Sequence, residues 1–410
     1  MTSDREHDVV VYGATGFVGK LTAAYLAKQE PGPRIALAGR SKDKLEAVRS
    51  SLGAAAAQWP LIVADASDTG SVEALAASTT SVATTVGPYM KYGIPLAAAC
   101  AAAGTHYADL TGEVRFVRHL LETVDATAKA SGARIVVSCG FDSIPSDLGV
   151  FVLRDGVRRD GAGELEETKL VVTALKGGVS GGTIDTMRSQ VDDMKADSTF
   201  ARMVADPYAL SPDRDKEPEL GDESDVRKPV KDADLGKWLG PFVMGAYNTR
   251  VVRLSNSLQD WDYGRSFRYQ EYMGFPGHPG GLAAAAGMTG ALGALMGGMS
   301  VGPTRRVLDK ILPEPGEGPS EKVQRNGHFA MDIHARTSTG ATYVATVTGK
   351  GDPGYAATAV MLAESALALA LDGDALPSRA GVLTPAAGIG QPLVDRLRKH
   401  RFTFDVNAVA

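Results

Sequence analysis

Residues 8–19 read DVVVYGATGFVG. Val9, Val10 and Val11 form a short apolar run of the buried-strand kind. Gly13, Gly16 and Gly19 follow at three-residue spacing, and a helical pattern continues beyond them. Glycine permits a sharp turn and lets backbone N–H groups approach a pyrophosphate at a helix N-terminus. This strand–turn–helix setting predicts a dinucleotide site with contacts from Gly13, Thr15, Gly16, Phe17 and Gly19. A second apolar run, Arg34–Ala38, ends in Gly39-Arg40-Ser41. A cofactor with a free ribose 2′-OH usually meets an acid there, whereas a 2′-phosphate wants a cation and a hydroxyl. Arg40 and Ser41 supply both, so the expected cofactor is NADP(H). Asp65 is expected near the adenine and Gly87 near the nicotinamide ribose.

Outward from that stretch, residues 1–150 alternate between strand-like and helical segments, the pattern of a parallel sheet covered on both faces. Strands are predicted at Asp8–Tyr12, Arg34–Ala38, Leu61–Ala64, Val82–Val86, His106–Asp109 and Arg134–Ser138. Helices are predicted near 17–28, 41–52, 70–78, 94–103 and 114–131. The fold class is therefore α/β: an NADP-type Rossmann domain with a doubly wound parallel sheet, plus a second α/β (α+β) substrate and dimerisation domain at 151–351. Cofactor and substrate should lie outside the carboxyl ends of the first six strands.

In the second region, Leu170–Leu175 and Ser266–Met273 read as strands and Thr183–Ser198 as a helix. Phe329–Thr337 and Ala341–Lys350 alternate around Thr339-Gly340 and predict a hairpin. The segment 205–237 includes a stretch, 213–234, in which 14 of 22 residues are charged, which reads as a solvated, mobile loop. Residues 280–302 carry no charge and eight glycines. Three readings stand for them: a helix buried in a domain or dimer interface, a wall for a long apolar substrate, or a membrane-surface contact. A long helix, Tyr355–Leu371, should pack back on the first domain, so that 352–410 belongs with it.

The 410 residues suffice for two or three domains. A net charge of −5 gives no reason to expect nucleic acid as a partner. Two cysteines, Cys100 and Cys139, make no disulfide framework and favour a reducing compartment. The acidic, polar start MTSDREHD does not resemble a signal peptide, so a cytoplasmic location is expected. Two-fold dimers being the commonest oligomers, a homodimer is expected.

The tyrosine–lysine pair four residues apart that short-chain reductases need does not occur, and no Cys-x-x-Cys or His-x-x-x-His suggests a metal. Chemistry must come from polar strand ends. Thr85–Tyr89 places Tyr89 beside the nicotinamide end. His106–Glu113 offers Asp109 and Glu113. Cys139–Asp147 offers Asp142 and Ser143. Tyr89 is the first choice for a proton donor, with Asp109, Glu113 and Asp142 as alternatives; helix capping or packing competes for each acid. Before the helix of the second region, Ser180, Gly181, Gly182 and Thr183 could hold a carbonyl or thioester oxygen as negative charge develops, or simply form a turn with Thr183 as its cap.

Together YGATGFVG at 12–19, AGRS at 38–41, VGPY at 86–89, HYADLTGE at 106–113, GFDSIPSD at 140–147, SGGT at 180–183 and DPGYAATAVMLAE at 352–364 resemble the saccharopine dehydrogenase-like oxidoreductases. Within them the chain is most similar to the actinobacterial trans-acting enoyl reductase branch. The resemblance implies NADPH-dependent reduction of a carbon–carbon double bond in a carrier-bound acyl or polyketide thioester, in the making of phthiocerol-type cell-envelope lipids. The alternatives are a reductase of a carbonyl or imine, as in saccharopine formation, and a non-catalytic, lipid-associated Rossmann protein. A saccharopine-type substrate would need cationic clamps, and Arg250, Arg253, Arg265 and Arg268 are dispersed.

Overall fold

A computed structural model describes residues 5–29, 32–178, 181–311 and 318–409. The first sheet begins with β1 (His7–Tyr12), β2 (Ile35–Gly39), β3 (Leu61–Val63), β4 (Thr79–Thr84), β5 (His106–Ala108) and β6 (Arg134–Val136). All pair in parallel, in the order β6-β5-β4-β1-β2-β3. β1 lies between β2 and β4 with both faces covered: Val9 and Val11 face one apolar core, Val10 and Tyr12 the other. A strand so placed reads as an unbroken apolar run instead of an alternating one. Each of its valines is fully buried and contributes about 1.5–3 kcal/mol.

The second sheet holds β7 (Leu165–Lys176), β8 (Val230–Asp232), β9 (Lys237–Pro241), β10 (Arg268–Phe275), β11 (His328–Thr337) and β12 (Thr342–Lys350). The chain then returns to the first sheet: β13 (Gly381–Leu383) pairs in parallel with β6 as a seventh strand. Between β12 and β13 the helix Thr358–Leu371 packs on β1, β4 and β5. The last strand, β14 (Phe402–Val409), crosses back and pairs antiparallel with β12. The tail thus belongs to both sheets, whereas the sequence assigned all of 352–410 to the first. Its alternation Phe402, Phe404, with both rings buried, is the period-two pattern that marks β14 as a half-buried strand.

Other departures have local causes. β4 starts at Thr79, three residues before its predicted start, because Thr79 and Ser81 pair with β1 although they are polar. The predicted helix over 114–131 breaks at Val124 into Val114–Thr123 and Asp125–Ser131. The segment 205–237 is largely exposed but not wholly solvated: Glu217, Glu223 and Asp232 are buried. Asp225 forks onto Arg250, Glu223 pairs with Arg253 at 3.2 Å, and Glu217 accepts from Trp261 at 3.0 Å. Apolar periodicity is blind to acids that are buried as partners of arginines.

Residues 280–302 are not buried in an interface within the chain itself. The helix Pro279–Ser300 is mostly exposed, with only Gly281, Ala285 and Met299 buried. Two described helices are long and apolar enough to cross a membrane; the second, ending at Leu371, is mostly buried in the protein.

Candidate active site

A cleft of about 470 Å³ lies outside the carboxyl ends of the first-sheet strands. Its near wall is the turn after β1. Gly13 sits at φ +86°, where a Cβ would also come within 2.7 Å of Thr85 Oγ1. At Gly19 a Cβ would fall 2.2 Å from the Gly13 carbonyl oxygen, so the helix Phe17–Leu26 can lie against the turn only without a side chain there. Gly16 caps that helix with no side-chain bond to its free N–H groups, and a Cβ there would meet only the Gly13 carbonyl oxygen, at 3.4 Å. This is a cradle that a side chain would fill, fitted to a phosphate. Phe17 stands edge-on to Tyr355 at 4.9 Å.

Arg40 is exposed just past β2 and makes no hydrogen bond or ion pair within the described residues. Ser41 accepts from Lys44 N at 3.4 Å as the cap of the helix Lys42–Ser51, which leaves its O–H proton to donate. Thr15 lies partly buried between Gly13 and Gly16, near Gly39. Asp65 follows β3, its carboxyl held below the usual range by hydrogen bonds from Ser67. Gly87 lines the cleft beyond β4. Gly16, Phe17 and Gly87 line the cleft, and Arg40, Ser41 and Asp65 follow the neighbouring strand ends; their chemistry fits an NADP-type dinucleotide.

The four acid candidates separate by what they touch. The Tyr89 hydroxyl donates to the Thr84 carbonyl (3.2 Å) and accepts from Leu110 N (3.1 Å), so its proton is committed. The Glu113 carboxylate accepts from Tyr89 N and Met90 N at 2.7 and 2.8 Å, capping the helix Tyr89–Ala103 from a distance in sequence. Asp109 is wholly buried, accepts from Thr111 N, Ser138 N and the Tyr107 hydroxyl, and ties β5 to the end of β6. Burial pushes its carboxyl up to about 7. Asp142 differs. It lines the cleft, makes no hydrogen bond or ion pair with any described residue, and is pushed up to about 6 by burial alone.

Ser143, beside it, donates to Asn248 Oδ1 at 2.9 Å. Asn248 in turn donates to Ser146 and to Glu271, which also accepts from the Tyr269 hydroxyl at 2.8 Å. The GFDSIPSD segment therefore carries one cleft-facing carboxyl on a polar seam that joins the two sheets. Gly181 and Gly182 line the cleft at the start of the helix Gly181–Ala196, and Gly181 N donates to the Tyr355 hydroxyl at 3.3 Å. Ser180 and the side chain of Thr183 lie outside the described residues.

Sequence reasoning missed Tyr247, whose hydroxyl meets Ser138 Oγ at 2.5 Å on the cleft wall, together with Tyr355 and Glu271. Each comes from a segment more than 100 residues from Asp142 in the chain, and no local motif announces it. Among the described residues no lysine or arginine lines the cleft. Arg250 and Arg253 are turned to Asp225 and Glu223 instead.

Comparison with known proteins agrees with this geometry. Residues 9–136 match the model of the saccharopine dehydrogenase NADP binding domain. The chain is 48% identical over 406 residues to a trans-acting enoyl reductase of Mycobacterium tuberculosis, covering 96% of each chain. It is 47% identical over 408 residues to a trans-acting enoyl reductase of Mycobacterium ulcerans, covering 97% of this chain and 96% of that one. Among solved structures, saccharopine dehydrogenase (L-Glu forming) from Saccharomyces cerevisiae superposes with a TM-score of 0.53 at 15% identity, over 98% of this chain and 99% of that one; the likeness is one of fold.

Proposed function

The chain belongs to the saccharopine dehydrogenase-like NADP-dependent oxidoreductases, among the relatives of the trans-acting enoyl reductases, and on that premise we propose that it reduces the carbon–carbon double bond of an α,β-unsaturated acyl thioester. The observation that carries this reading is a cleft whose described lining holds no cation, and in which the Asp142 carboxyl, raised by burial, has no hydrogen-bond or ion-pair partner among the described residues. A charged amino-acid substrate would need arginines to hold its carboxylates, and Arg250 and Arg253 are spent on the chain's own acids. A neutral thioester needs only an acid and a place for enolate charge.

When bound, the dinucleotide supplies a hydride for the β-carbon. The protein's part is to hold the acyl group and deliver the proton. Asp142 gives its carboxyl proton to the α-carbon and regains one from water, so that C=C becomes CH–CH. The Tyr247 hydroxyl and the amino end of the helix at Gly181 stabilise the enolate oxygen. Phe17 and Tyr355 shield the reacting atoms from water. We place the enzyme in the cytoplasm, taking its substrate from an acyl carrier domain of a polyketide synthase in cell-envelope lipid synthesis.

The test is to offer the purified protein enoyl, keto and imino substrates with NADPH and follow NADPH oxidation. Turnover confined to enoyl thioesters supports the reading. Turnover of a ketone or imine with none of the enoyl substrate overturns it.

A further inference from the structure

The cleft changes character along its length. Where it borders the first sheet it is polar, with Thr111, Ser138, Asp142 and Ser143 on its wall. Where it runs between the helices Gly181–Ala196 and Pro279–Ser300, it is lined by Met187 and Met194 from one and Leu292 and Met296 from the other. These four side chains are only half-buried, although Ile184, Val191 and Met299 close the seam between the same two helices almost completely. The helix Gly181–Ala196 is anchored toward the reacting end: Gln190 Nε2 donates to the Gly112 carbonyl at 2.9 Å. The apolar trough is therefore held in fixed relation to Asp142.

We propose that this trough, formed by Met187, Met194, Leu292 and Met296, is the subsite for the alkyl tail of the substrate, and that it makes the enzyme selective for medium to long acyl chains. The inference rests on the enoyl reductase reading of the same cleft. An apolar space has no hydrogen-bond partners to offer water and takes up apolar ligands. Methionine is unbranched and polarisable, so it remodels around chains of different length and branching. A polar head end followed by an apolar trough matches the order of groups in an acyl thioester: carbonyl first, methylenes after. On this assignment, one face of the exposed glycine- and alanine-rich helix serves as a substrate wall.

Saturated acyl pantetheine thioesters of about four, eight and twelve carbons probe the subsite without turnover, by calorimetric titration. Affinity should rise roughly fourfold per methylene until the trough is full. Leu292→Trp, which fills the trough, should flatten that dependence and leave the shortest ligand unaffected, and Met194→Trp should do the same. Ala291→Trp, on the exposed face of the same helix, should keep the wild-type dependence. Affinity independent of chain length, or a dependence that survives both trough variants, overturns the subsite. The two readings fail separately. Length-dependent binding by a protein that reduces no enoyl thioester sinks the reductase reading and supports the subsite, whereas enoyl turnover without length-dependent binding does the reverse.

Discussion

At its dinucleotide end the cleft is shaped by backbone; at its far end it is shaped by side chains. The turn after β1 excludes every Cβ at Gly13 and Gly19, so its form is written in one short run of sequence. The far end is assembled from Asp142, Tyr247, Glu271, Leu292, Met296 and Tyr355, which come from separate elements. The first end binds a ligand of constant shape, and steric prohibition suits that task. On the proposed reading, the second accepts a neutral, variable chain and presents Asp142 to it. Rotatable side chains do this better than a rigid turn.

The largest expected effect falls at the far end. Asp142→Asn should lower enoyl turnover by about 10²–10⁴-fold, the usual range for a positioned acid, with NADPH affinity unchanged by fluorescence titration. Because the carboxyl is pushed up to about 6, wild-type turnover should fall as pH rises through that value, and the variant should lose this limb. Retained turnover in Asp142→Asn would move the proton source elsewhere and erase the functional contrast between the two ends.

At the dinucleotide end, Arg40→Ala should weaken NADPH binding by about 10- to 100-fold, the loss of a charge-assisted bond worth roughly 1.5–3 kcal/mol, and leave NADH nearly unchanged. Equal loss for both nucleotides would show that Arg40 does not read the 2′-phosphate. Tyr89 stands between the two ends. Tyr89→Phe leaves Leu110 N and the Thr84 carbonyl without their partner, so it should cost about 1–3 kcal/mol of stability by thermal unfolding. Its turnover should stay within a fewfold of wild type; an activity loss as deep as that of Asp142→Asn would return the donor role to Tyr89.

The smallest effect belongs to the buried carboxyls behind the cleft. Asp109, Asp147 and Glu271 are each pushed up to about 7 by burial. Unfolded, they would titrate near 4, so the folded protein holds more protons as pH approaches 7, and stability is lost as pH rises through that value. The histidines with lowered values are neutral in the folded state but still partly protonated unfolded near pH 6.5, so they oppose this slope at the start of the interval from about pH 6.5 to 8 and fade above about pH 7. The melting temperature should therefore fall modestly over that interval, and Glu271→Gln should reduce the slope. An unchanged slope would mean that Glu271 keeps its charge in the seam.

The same contrast explains what could be read from the sequence. The six first strands of the parallel sheet and the glycine turn were legible because each is a local constraint. Val9 to Val11 have no polar face to show, and Gly19 has no room for any other residue. Asp142 and Ser143 were legible as polar residues at a strand end, but their division of labour was not. What singles out Asp142 among these four is the lack of a hydrogen-bond or ion-pair partner among the described residues, whereas Tyr89, Asp109 and Glu113 are committed to backbone groups. The charged segment misled for a related reason. Its acids look solvated until Arg250 and Arg253, buried in a helix beyond it, are seen to need them. β13 is three residues long, too short to carry a pattern of its own.

That short strand has a consequence for how the polypeptide is made. As the ribosome extends the chain, β6 emerges with its outer edge bare and stays so until residue 381 has left the exit tunnel. The surface of β1, β4 and β5 that awaits the helix Thr358–Leu371 is likewise uncovered for most of synthesis. A nascent chain in this condition offers both an open hydrogen-bonding edge and a greasy face to its neighbours. The dinucleotide-binding half is therefore completed only by segments beyond residue 357, and a chain truncated before them would keep that edge and that face uncovered.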